Sequence, residues 1–106
     1  MASDNVTFPP RACSETIECE FEHFRYRLLV SYYPDGRIGE IHASGFKDGS
    51  ALNEVVQDAC AIISELLQRF VSPLTLTELI NRKPDGSPAS IIGAIILQIT
   101  EQILEE

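Results

Sequence analysis

The sequence predicts an α+β fold, with an N-terminal antiparallel three-stranded meander packed on two long helices and one short helix. Three observations carry this: apolar/polar alternation from Thr16 onward, a change to 3.6-residue periodicity after Gly49, and two Ser-Pro pairs that punctuate the second half. At 106 residues the chain has room for one core and little more. Its 44% hydrophobic and 23% charged residues match an ordinary globular domain.

Residues 1–14 lack periodicity and contain Pro9-Pro10, so they are expected to form a flexible arm ahead of a single domain at 15–106. From Thr16, Ile17, Cys19 and Phe21 alternate with Glu18, Glu20 and Glu22, the pattern of a half-buried strand, with His23 at its turn. Phe24 to Tyr33 alternates again and is rich in aromatic and β-branched residues. Its Arg25 and Arg27 should face the glutamates of the first strand, in cross-strand pairs on the order of 0.2–1 kcal/mol each. Pro34-Asp35-Gly36 is a turn, with proline presetting φ and glycine free to take φ > 0, and Arg37 to Ser44 returns as the third strand.

Leu52, Val55, Val56, Ala59, Ile62, Ile63, Leu66, Leu67 and Phe70 then recur at helical spacing, which predicts a long amphipathic helix over 51–70 capped by Ser50. Ser72-Pro73 opens a short helix to about Ile80, and Ser87-Pro88 opens a third running to about Leu104. The apolar residues of that third helix wrap more than one face. A face left over on so small a chain implies a homo-oligomer, a dimer or a multiple of dimers, built through helix 88–104, with Ala89 and Gly93 allowing close approach at the seam.

Eight basic against sixteen acidic side chains give a net charge of −8, which disfavours a nucleic-acid polymer as partner. The longest apolar run is too short to span a bilayer, and no basic, apolar leader opens the chain, so no membrane association and a cytoplasmic location are expected. Cys13, Cys19 and Cys60 form no CxxC pair and read as free thiols, not a disulfide or zinc framework.

His23 and His42 have no serine or cysteine nucleophile motif beside them, and the acidic pairs lie on a solvated strand face, so neither supplies a catalytic dyad. The expectation is a protein that is not an enzyme and needs no cofactor. Two helix starts stand out instead. Gly45-Phe46-Lys47-Asp48-Gly49-Ser50 and Arg82-Lys83-Pro84-Asp85-Gly86-Ser87-Pro88-Ala89-Ser90 each combine glycine, a hydroxyl and a cation where free N–H groups and the helix dipole favour an anion. Glycine for the turn and serine for the cap is the plainer account of the same residues.

The run PDGRIGEIHASGFKDGSALNEVVQDACAIISELLQR, with the later DGSPASIIGAI, resembles the TSCPD domain. That domain lies towards the C-terminus of adenosylcobalamin-dependent ribonucleotide reductases and also occurs as short free-standing bacterial and phage proteins. The likeness covers Phe24 to Ile96 and rests on Gly36, Gly39-Glu40, Lys47, Gly49-Ser50, the Ala59 to Leu67 helix and Gly86-Ser87-Pro88. It implies an accessory domain. The radical chemistry belongs to a barrel domain not present in this chain, and the family's cysteine-bearing tail is missing.

Together these point to a non-catalytic, oligomeric binder of a nucleotide or cyclic nucleotide. Lys47, Gly49, Ser50, Arg82, Lys83, Gly86, Ser87 and Ser90 would hold its phosphate, and Tyr32 or Phe46 would stack on its base. A phage-encoded chain of this kind could sequester nucleotide signals. The alternative is a protein-interaction or regulatory module for ribonucleotide reductase, and a histidine hydrolase is a distant third.

Overall fold

A computed structural model describes residues 13–104. The α+β class and the predicted element order are both present. Strands β1 (Cys13–Phe21), β2 (Phe24–Tyr32) and β3 (Ile38–Ser44) are followed by helices α1 (Ala51–Gln68), α2 (Pro73–Thr77) and α3 (Ile91–Leu104). The N-terminal arm expected at 1–14 lies outside the described residues except for Cys13 and Ser14, which already belong to β1. The chain divides after Phe70 into two compact units, at the Val71-Ser72-Pro73 break that separates the first two helices.

In the first unit the strands form an antiparallel sheet in the order β1-β2-β3. The register sets Glu18 against Arg27 and Glu20 against Arg25. Arg27 Nε donates to Glu18 at 2.9 Å, and both side chains are well exposed, so the pair fixes register more than it stabilises. Between β2 and β3 the register slips beside Ser31, because Gly39 is an extra residue opposite Tyr32 and Ser31. Tyr26, Leu28 and Val30 of β2 are buried with Ile41 and Ala43 of β3, and with Val56, Cys60, Ile63 and Leu67 of α1. Helix α1 packs on β3.

That packing treats the outer edge of β3 in a particular way. Ser64 Oγ accepts from the Ile41 N–H at 2.9 Å and donates to the Ile41 carbonyl at 3.2 Å. Gln57 Nε2 donates to the Ala43 carbonyl and Gln68 Nε2 to the Gly39 carbonyl, each at 2.8 Å. Residues 57, 64 and 68 lie on one stripe of α1, so one helix flank seals the backbone groups that an edge strand otherwise offers to another chain.

Ser50 has the extended backbone of an N-cap, and its Oγ accepts from the Asn53 N–H at 3.1 Å, as expected. The C-terminus of α1 is less conventional. Phe70 follows in the left-handed region at φ 71°, which costs a bulky residue on the order of 1–2 kcal/mol. Arg37 explains its retention: the guanidinium lies 4.2 Å from the Tyr33 ring centroid and 4.3 Å from that of Phe70, and Nη1 donates to the Leu67 carbonyl at 2.9 Å. A cation thus sits at the negative end of the helix dipole between two aromatic faces.

In the second unit α2 packs on α3. Helix α2 begins as predicted, with Pro73 in the first turn and Ser72 Oγ accepting from the Leu74 N–H at 3.2 Å. The expected start of α3 at Ser87-Pro88 is corrected: the helix begins at Ile91, and Ser90 caps it, its Oγ accepting from the Gly93 N–H at 3.1 Å. Arg82 and Pro88 instead form an isolated antiparallel bridge around a tight turn, and the chain bends through Ala89 and Ser90 into the helix. Two substitutions separate these roles. Ser90→Ala should cost about 1 kcal/mol and Ser87→Ala only a few tenths, read as the difference in urea midpoint; equal losses would return the cap to Ser87.

On α3 the apolar residues divide between buried and partly exposed, with Ile92 and Leu97 half-buried. Ile91, Ile95, Ile96 and Ile99 are buried, and Ile103, at 37%, is the most exposed large apolar residue of the helix among those described. A Cβ at Gly93 would meet Pro88 Cβ at 3.3 Å and Ile80 Cδ1 at 3.4 Å, so the space opened by this glycine is filled from within its own unit.

Candidate functional site

The residues expected to hold an anion fall into two different local structures. At the start of α1, Ser50 donates its hydroxyl proton to the Lys47 carbonyl at 2.7 Å and its N–H to the same oxygen at 3.1 Å. Gly49 adopts φ 76°, and nothing lies within 4 Å of where its Cβ would be. Lys47 is exposed, but Asp48 and the first-turn Glu54 bring negative charge to the same helix end. The serine is therefore committed to the cap, and the local charge is mixed.

The second segment is closed on itself. Lys83 N–H donates to the Ser87 carbonyl and Gly86 N–H to the Lys83 carbonyl, both at 2.8 Å. The Asp85 carboxylate accepts from the Ser87 N–H at 2.9 Å and from its hydroxyl at 2.6 Å, which holds the Asp85 pKa below the usual carboxylate value. Arg82 Nη1 donates to the Gly86 carbonyl at 3.0 Å and Nη2 to the Thr77 carbonyl at 3.4 Å. The amides of Gly86 and Ser87 are thus satisfied within the turn, which already holds one carboxylate, and they do not stand at a helix N-terminus. Ser90, the remaining residue of the segment, is the cap of α3.

The two aromatic candidates sit apart from each other. Tyr32 is half-buried and donates its hydroxyl to Glu15. Phe46 stacks on Tyr26, with ring centroids 5.7 Å apart. Neither is brought against Lys47 or Ser50 by any described contact.

His23 is exposed in the β1–β2 turn. His42, on β3, lines a shallow groove of about 420 Å³ with Glu40, Gln57, Cys60, Ser64 and Gln68. The amide and hydroxyl groups of that groove are those already spent on the edge of β3. Among the described residues no cluster of three His, Cys, Asp or Glu side chains could hold a metal ion, and no helix is long and apolar enough to cross a membrane.

The thiols separate by burial. Cys13 is exposed, whereas burial pushes the Cys19 and Cys60 pKa values above the ordinary thiol range. Iodoacetamide at neutral pH should therefore modify Cys13 first and Cys60 only on unfolding, a sequence readable by mass spectrometry; early loss of the Cys60 thiol would contradict it.

One surface was not singled out from the sequence. Leu52, Val55, Ala59, Ile62 and Leu66 run along α1 beside its buried stripe, and Val55 and Ile62 remain 51% and 61% exposed. The signal was in the helix: nine apolar residues span two stripes, 52-55-59-62-66 and 56-63-67-70, wider than one buried face requires. Compared with known proteins, the chain matches no family model, no curated sequence and no solved structure.

Proposed function

We propose that this chain is a non-catalytic interaction protein that presents the outward stripe of α1 to another polypeptide. The observation that carries the proposal is the exposure of Val55 and Ile62, seven residues apart on the helix whose adjacent stripe anchors the sheet. Two β-branched residues two turns apart, with half-exposed Leu52 and Leu66 beyond them, have the form of a helix-in-groove contact. Ile62→Glu tests it. The variant should keep the parent's circular dichroism and melting temperature, since Ile62 contributes little to the core, while losing every polypeptide partner the parent holds. Binding that is indifferent to Ile62→Glu would remove the proposal.

A second reading keeps the nucleotide-binding expectation at Lys47–Ser50. It is favoured there by the fact that this segment, unlike 82–87, leads directly into a long helix. A thermal-shift panel of mono-, cyclic and dinucleotides addresses it: a rise in melting temperature that Lys47→Glu abolishes would support it, and no response from any member would end it.

A further inference from the structure

We propose that the open edge of β1 takes up an extended peptide as a fourth strand, one in which lysine or arginine alternates with apolar residues. This surface is separate from the α1 stripe, and neither proposal depends on the other. The two edges of the sheet are unlike. On β3 the Ile41 N–H and carbonyl and the Ala43 carbonyl turn outward to Ser64 and Gln57 of α1. Their register partners on β2, Val30 and Leu28, therefore turn their own backbone groups towards β1, where Glu15 and Ile17 face them. Direction alternates along a strand, so Thr16, Glu18 and Glu20 aim their N–H and carbonyl groups away from the sheet. Among the described residues nothing takes these groups up: β2 is the only strand beside β1, and Thr16, Glu18 and Glu20 are exposed. The nine residues of β1 also run without a bulge, proline or glycine to blunt the edge.

The charges of the strand select the occupant. Glu15, Glu18 and Glu20 are its charged residues, with no lysine or arginine among the nine. A second copy of β1 would bring more carboxylate and no cation to this edge. Glu18 and Glu20 share the outer face with their register partners Arg27 and Arg25, which stand on the β2 side and leave the edge side acidic. Arg27 Nε meets Glu18 at 2.9 Å, whereas Glu20 has no ion pair among the described residues. In an added antiparallel strand, the residues opposite Thr16, Glu18 and Glu20 stand about 5.5 Å away on that same face, where unlike charges attract across strands. The residues between them fall on the other face, beside half-buried Ile17, Cys19 and Phe21. Cations at every second position with apolar side chains between them suit both faces at once, and the backbone ladder supplies the affinity common to strand addition.

A nine-residue peptide alternating valine with lysine, matched in length to β1, tests this on the full chain. Control peptides replace its lysines by glutamate or group them at one end. In the free chain the Thr16, Glu18 and Glu20 amides should exchange rapidly with solvent by NMR, while those of Ile17 and Cys19 are protected. The alternating peptide should slow the first three and bind at least about ten-fold more tightly than either control. Its affinity should fall several-fold between ~0.01 M and ~0.15 M salt, as the Debye length shortens from ~30 to ~8 Å. Thr16→Pro removes one outward N–H without changing charge, at an edge where proline is tolerated, and should weaken binding. Glu20→Lys should reverse the preference between the lysine and glutamate peptides. No binding of the alternating peptide below ~1 mM, equal binding of the grouped isomer, or binding indifferent to Thr16→Pro or to Glu20→Lys overturns the proposal. If Thr16→Pro does not fold, the Glu18 and Glu20 amides decide in its place: protection by the peptide supports the added strand, and unchanged exchange overturns it. A peptide released by Ile62→Glu is held by the α1 stripe, which overturns the edge and leaves the interaction reading above standing.

Discussion

Ser64→Ala should lower the stability of the chain by about 2–5 kcal/mol, because one hydroxyl serves two buried backbone groups. Ser64 and Ile41 are both buried, and Ser64 Oγ contacts the Ile41 N–H and carbonyl at 2.9 and 3.2 Å. Removing the oxygen takes away little volume, but it strands a donor and an acceptor, each costing about 1–3 kcal/mol when left unpaired. An ordinary serine on an exposed turn, such as Ser87, has no such consequence. In urea the midpoint should move down by at least about 0.7 M for a chain with a slope of about 1–3 kcal/mol/M. A midpoint within error of the parent would mean that the edge of β3 does not depend on this bond. If the edge also opens, the variant should aggregate more readily than Leu66→Ala, a substitution on the same helix that leaves the seal untouched.

Arg37→Ala comes next in size, at about 2–3 kcal/mol. Each ring contact contributes about 0.5–1 kcal/mol at a partly exposed site, and the charged hydrogen bond to the Leu67 carbonyl adds about 1.5–3 kcal/mol before solvent screening. The side chain keeps 29% of its exposure, which places the sum at the lower part of that range. For a chain of this length the melting temperature should fall by about 8 °C or more. Arg37→Lys should recover only part of it, since an ammonium can hold the charge but cannot lie flat between two rings. Phe70→Gly should be nearly neutral by contrast, because relief of the left-handed backbone offsets the lost ring contact. Full recovery by Arg37→Lys would show that charge at the helix end is sufficient and the rings are incidental.

Both predictions lie in contacts between elements, and this is where sequence reasoning reached its limit. The alternation in 16–44 and the periodicity from Leu52 are set by which faces meet water, so the strands, α1 and the shared face of Arg25 and Arg27 with the β1 glutamates were legible directly, while the pairing of Glu18 with Arg27 came with the register. The caps at Ser50 and Ser72 were legible too, because a serine preceding an apolar run with a free N–H two or three residues on is a local arrangement. At Ser87-Pro88 the same local cue misled. The Asp85 side chain captured both the N–H and the hydroxyl of Ser87, and Pro88 was drawn into a bridge with Arg82, so the helix starts only at Ile91. Two turn chemistries competed for one serine, and the side chain two residues away won.

The amino-acid sequence by itself determined the α+β class, the order of the elements and an acidic net charge. Tertiary structure decided which polar side chains are structural. Gln57, Ser64 and Gln68 carry no signal in the helix pattern and acquire their role only with β3 beside them, and Arg37, expected to open the third strand, is instead enclosed by Tyr33 and Phe70. It also decided which apolar residues of α1 are left exposed, Val55 and Ile62 rather than Val56 and Ile63. The physical reason is common to all of these. Periodicity records that a face is apolar, but whether that face is covered, and which backbone groups it must satisfy, depends on neighbours distant in the chain.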